Sequence, residues 1–243
     1  MADQEVIKHT KNVFKIWSNK EHPIWHKLKE ALFEILIIVF AVSISIWLHN
    51  WNAHRHEQAQ VKTFLLGLKK DIQADVKDAK VCLDGLQKMD TIYRYLSSLK
   101  ADKVPDKDSL KSMCQYLGTS MSLDVHKSRF MGFLSAGKVI TIEDDSLALN
   151  ILNFYQEIIP SLQLSEGGWG SLNGRLTQYL IDNVKDVDSD MAKWEVLTTS
   201  KGRYLTKSLI PWQQLLDRYR KVIVAGETII KHIDEQYPEE ASL

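Results

Sequence analysis

His49, His54, His56 and Glu57 stand close together and are of the types that bind zinc and related divalent metals. On one helix His49 and His56 share a face but lie seven residues apart, roughly 10 Å of rise, while His54 points elsewhere. No single ion can collect them, and interfacial anchoring is the plainer expectation. Asp186, Asp188 and Asp190 repeat the alternating acids that open a calcium loop. Met191, however, stands where that loop needs glycine, and Leu197 where it needs a glutamate, so a solvated loop is expected. The stretch Glu166 to Gly174, EGGWGSLNG, lacks the Gly-Lys-Ser/Thr ending of a phosphate-binding loop and follows a helix instead of a strand. Its glycines predict an interhelical turn, with Trp169 packed on the body.

No G-x-S-x-G, H-E-x-x-H or C-x-x-C motif occurs, and Cys82 has no base partner recognisable from sequence. The expectation is a non-catalytic protein without metal or cofactor. Cys82 and Cys114 are the only cysteines, each within a helical pattern. They are read either as two unpaired buried thiols or, if the body lies in an oxidising compartment, as a disulfide.

The elements that carry these residues begin with one segment that water hosts poorly. Ala31 to Trp51, ALFEILIIVFAVSISIWLHNW, is twenty-one residues, roughly 31 Å of helix against roughly 30 Å of bilayer hydrocarbon. Trp25 precedes it, Trp47 and Trp51 sit at its far end, and Asn50 and Asn52 return the chain to water, so these residues are read as interfacial anchors. The far end offers no small-x-small cleavage site, which favours an uncleaved anchor over a signal peptide. A carboxylate inside such a helix costs up to roughly 3 kcal/mol at the bilayer centre. Glu34 lies one turn inside the span, where it can snorkel to the near interface. It also shares a face with Ala41 and Ser45, a small-xxx-small pair that lets helices approach closely.

Before the span, residues 1–22 read as an interfacial helix with Val6, Thr10, Val13, Phe14 and Trp17 on one face, and Pro23 can open the helix that becomes the span (residues 23–56). The twenty residues before Ala31 carry five lysines, against four basic residues in the twenty from Asn52 to Asp71. That bias places the N-terminus in the cytoplasm and the body across the membrane.

Residues 57–243 read as an all-α body, since strand signals are scarce and only five prolines occur in 243 residues. Equal numbers of basic and acidic residues, 31 each, argue against a nucleic-acid binder. From Glu57 to Leu99 the spacing predicts a long stalk helix with a near-heptad seam at Val61, Leu65, Leu68, Ile72, Val76, Ala79, Leu83 and Leu86. Such a seam suits another helix, within the domain or across an oligomer. Gly67 and Gly85 weaken it by roughly 1 kcal/mol each. Further helices are expected from Leu110 to Leu117, from Leu123 to Ala136, from the acidic cluster at Glu143 to Ile159, near Arg175 to Val184, near Met191 to Leu197, and from Trp212 to Gln236. Pro160 is expected to kink or end its helix.

Glu34-Ile35, then Asn50-Trp51-Asn52, then Phe64-Leu65-Leu66-Gly67-Leu68-Lys69-Lys70-Asp71 resemble a family of bacterial, mainly Gram-negative, membrane proteins built on a domain of unknown function. Phe133-Leu134-Ser135-Ala136-Gly137, with Ile142 and Leu147, is similar to the family's Leu-x-x-Ser-Gly and Ile-x-x-x-x-Leu stretch, with Ala136 inserted between the serine and the glycine. The resemblance implies a membrane anchor and a helical body, and no reaction; in a Gram-negative cell the orientation read from the lysines makes the anchor an inner-membrane one and the body periplasmic. Two functions are therefore expected: a scaffold that forms homo-oligomers or docks on another membrane protein in the bilayer, or a ligand-sensing module that signals through a partner.

Overall fold

The computed structural model describes residues 24–238, and the interfacial helix expected for residues 1–22 and the opening role of Pro23 lie outside them. Among the described residues the chain is all-α, with no strand. It divides into two compact units, Met1–Val61 and Lys62–Leu243. The segments read as span and stalk form one continuous helix, α1, Ile24–Ser98. Then come α2 (Lys107–Cys114), α3 (Ser128–Ser135), a 3-10 turn (Lys138–Thr141) and α4 (Asp145–Asn153). A π turn (Phe154–Ile158) leads into α5 (Ile159–Asn183), followed by α6 (Asp190–Leu197), α7 (Ser200–Ser208) and α8 (Gln213–Gln236).

In the first unit the apolar residues of α1 from Leu32 to Trp51 are largely exposed, Leu36, Val39, Phe40, Ile46 and Trp47 among them. One helix among the described residues is long and apolar enough to cross a membrane, and none of its best 18-residue window, of mean hydropathy 2.2, is buried. Trp47 and Trp51 stack at 6.4 Å, and the Arg55 guanidinium lies 5.0 Å over the Trp51 ring.

In the second unit the seam is filled by the body itself. Leu65, Leu68, Ile72, Val76, Ala79 and Leu86 are buried, Leu83 is half-buried, and the stripe continues through Met89, Tyr93 and Leu96. Helix α8 runs antiparallel along it, tied by Lys69–Asp234 at 2.5 Å and Lys80–Glu227 at 2.7 Å. Gly226 makes the approach close, because a Cβ there would overlap the Val76 side chain. Helix α5 packs on α7 and α8, α4 on α8, and α2 on α6.

Several sequence expectations are corrected. The glycine-rich segment is not a turn: Glu166 to Gly174 lies inside α5, which also absorbs the helix expected near Arg175. Four glycines in a helix interior cost about 4 kcal/mol relative to alanine. Full burial of Trp169, whose Nε1 donates to the Leu209 carbonyl at 3.1 Å, offsets this with about 4–6 kcal/mol of apolar area. Pro160 does not end the helix either. It lacks the N–H that would bond the Gln156 carbonyl and crowds that oxygen, and the turn before it widens to π register. Asp106 caps α2 by accepting from the Ser109 N–H at 2.8 Å, so this helix begins at Lys107, three residues before the expected Leu110. Asp144 caps α4 in the acidic cluster, as its N-terminal position favours. The helix Ser200–Ser208, capped by Thr199, was not anticipated.

Two glycines should respond oppositely to alanine. Gly170 faces open space, so Gly170→Ala should stabilise the body by about 0.5–1 kcal/mol. Gly226→Ala should destabilise it by about 1–3 kcal/mol through overlap with α1. Urea unfolding of the two variants checks both signs.

Candidate functional site: a strap along the long helix

From Thr119 to Lys127 the chain has no helix or strand and closes in a tight turn, the Lys127 N–H donating to the Val125 carbonyl at 2.9 Å, although a helix was expected from Leu123. The segment begins after Gly118, whose φ of 82° turns the chain out of α2 into a conformation glycine adopts without strain. It then runs antiparallel along α1. Thr119 Oγ1 lies 3.9 Å from Met89 Sδ, the Met121 side chain lies over Gly85, and Cys82 Sγ donates to the Ser122 carbonyl at 3.7 Å. His126 meets Asp75, Arg129 meets Asp71 at 2.8 Å, and Phe133 stacks on Phe64 with ring centroids 3.7 Å apart. The lengths agree: the seven steps from Thr119 to His126 span about 23 Å extended, and the fourteen from Met89 to Asp75 about 21 Å of helix.

An unpaired segment against a core must have its peptide groups satisfied by side chains. Three buried polar residues do this. Asn173 Nδ2 donates to the Thr119 carbonyl at 2.7 Å. Glu166 Oε1 accepts from the Leu123 N–H at 2.8 Å and also from Tyr219 Oη. Asp75 Oδ1 accepts from the His126 N–H at 3.0 Å and pairs with His126 Nδ1 at 2.7 Å. The glycines that weaken α1 also belong to this arrangement: a Cβ on Gly67 would meet the Arg129 guanidinium at 2.6 Å, and one on Gly85 would meet Met121 Cε at 2.6 Å.

The electrostatics follow from burial. Desolvation pushes the Asp75 and Glu166 carboxyls above the ordinary carboxylate range, with the His126 and Leu123 contacts working against it. Asp75 is fully enclosed, yet the imidazole it holds is 54% exposed. Asp75 Oδ2 and Tyr155 Oη are buried without a hydrogen-bond partner, and the charges of Asp75 and Asp71 add to desolvation in raising the Tyr155 phenol. Tyr155 stands on the π turn, stacked on Phe130 at 4.4 Å. A carboxylate that orients a half-exposed imidazole can hold or pass a proton, and among the described residues no nucleophile is bonded to this one.

The sequence-derived candidates lie elsewhere. Glu34 is partly exposed, Ala41 and Ser45 are exposed, and Trp25, Trp47, Asn50, Trp51 and Asn52 lie exposed on α1. His56 bonds Gln60 at 3.1 Å, and among the described residues no cluster of three or more acidic, His or Cys side chains could hold a metal. Asp186 bonds the Asp188 N–H at 3.1 Å in a turn, and Asp190 opens α6 behind the Ser189 cap. Cys82 and Cys114 are both free thiols: Cys82 lies under the strap near Tyr219, and burial among α2 and α6 residues raises Cys114 to about 11. Asp75, His126 and Tyr155 were missed. Their one sequence signal is an aspartate between Ile72 and Val76 on the inward side of an apolar seam.

Removing Glu166 leaves a buried amide and the Tyr219 hydroxyl unsatisfied. Glu166→Ala should therefore cost about 2–4 kcal/mol, whereas Glu166→Gln, which keeps an acceptor and sheds a buried charge, should stay within about 1 kcal/mol of the parent. Urea unfolding at neutral pH measures both.

Comparison of the chain with protein-family models, curated proteins and solved structures finds no match to any of them.

Proposed function

We propose that this is a non-catalytic interaction protein of the bacterial inner membrane, anchored by one span and acting through the face of that span. In this reading the N-terminus is cytoplasmic and the helical body periplasmic, following the lysine bias before the span and the family resemblance of its two edges. One contrast along α1 supports it. The stalk seam from Leu65 onward is covered by the protein's own helices, whereas no residue of the apolar window before it is buried. Association then belongs to the face of Glu34, Ala41 and Ser45, where close packing and hydrogen bonding bind helices in lipid.

A photocrosslinking residue at Ala41 should trap a discrete adduct in native membranes, either a second copy or another membrane protein. The same residue at Val39, on the opposite face, should give several-fold less, and Glu34→Gln should lower the Ala41 yield. Equal yields at the two positions, or none at either, contradict the proposal.

A ligand-sensing module is the second reading, favoured by a pocket of about 200 Å³ lined by Cys114, Leu117, Leu180, Val184, Val187 and Lys193. Native mass spectrometry separates the two. A monomer that retains a small molecule favours sensing, and a defined oligomer or complex favours the scaffold.

A further inference from the structure

The strap carries one group that is both bonded to a buried charge and open to water. His126 presents Nδ1 to the enclosed Asp75 carboxylate while more than half of its side chain is exposed. The charges around it come from each neighbouring element: Asp71 and Asp75 from α1, Asp124 from the strap itself, and Arg129 from α3, which pairs with Asp71. Tyr155, from the π turn, is the neutral group that faces the same two aspartates. Loss of a proton from His126 therefore leaves Asp71, Asp75 and Asp124 facing a neutral ring, with Arg129 the one cation among these groups. Toward its C-terminal side the strap is fastened by Asp75 alone among the three buried polar side chains, since Glu166 and Asn173 hold Leu123 and Thr119.

We propose that Asp75 and His126 form a proton-operated latch: the imidazolium locks Thr119–Lys127 into its groove on α1, and deprotonation lets the segment lift from α1 and uncover the Cys82 side of the groove. The hydrogen bond and charge of Asp75 raise His126 above the ordinary imidazole value of 6.5, and Asp71 and Asp124 add to this. A histidine raised in the folded state contributes stability that is complete below 6.5 and is lost as pH climbs through the raised value. The latch is thus tight in mild acid and loose in mild alkali.

Cys82 reports on the strap, because its Sγ touches the Ser122 carbonyl. In a Cys114→Ala background of the full chain in lipid, Cys82 is modified with an uncharged thiol reagent from pH 6 to pH 9. The same is done in His126→Gln and His126→Asn, which keep a neutral donor to Asp75. Dividing each variant's rate by the parent's at the same pH cancels the intrinsic titration of the thiol. The ratio is expected to be several-fold at pH 6 and to approach one by pH 9 in both variants, with helicity by circular dichroism unchanged. A ratio that stays constant across the range, whether near one or above it, overturns the latch. If one variant loses helicity, the other carries the test.

Discussion

A peptide segment without secondary structure cannot lie against an apolar core unless each of its buried N–H and C=O groups finds a partner. In this protein the segment is Thr119–Lys127, and the partners are Asp75, Glu166 and Asn173. Burying two carboxylates is unfavourable on its own, and both are pushed up in pKa by it. They are kept because removing either would leave backbone amides unpaired in a place water reaches poorly. The arrangement in turn fixes other choices: glycine at 67 and 85 where Arg129 and Met121 cross α1, glutamate at 166 in the middle of α5, and a tyrosine at 219 to share that glutamate.

The same long helix meets two environments. From Leu65 onward its apolar stripe is enclosed by α8 and its neighbours, with Gly226 allowing near contact at Val76. Before that, the apolar residues from Leu32 to Leu48 are largely exposed and none of them is buried. Leaving so many large apolar side chains to water would cost on the order of 1.5–3 kcal/mol for each one, a penalty a lipid environment removes. The free energy that folds the body and the free energy that would hold the anchor thus come from separate stretches of one element.

Much of this was legible in the sequence because it is periodic. The all-α class, a helix long and apolar enough to cross a membrane, the seam from Leu65 to Leu86 and the last helix follow from spacing alone. The boundaries that failed did so where tertiary contacts overrode local preference. Glycines 167, 168, 170 and 174 suggest a turn until the stripe Leu162, Trp169, Asn173 and Leu176 is seen to face the core as a helix. Leu123 to Lys127 has an apolar pattern fit for a helix, but its amides are taken by carboxylates 43 and 51 residues away. The Asp75–His126 pair was hidden for the same reason, since its two members share no local pattern.

Amide hydrogen exchange of the intact protein in lipid at pH 6, where His126 holds its proton, tests the strap most directly. The Leu123 and His126 amides should exchange as slowly as those in the middle of α5, despite lying outside any helix. Exchange of these two amides at the rate of an open chain would contradict the account.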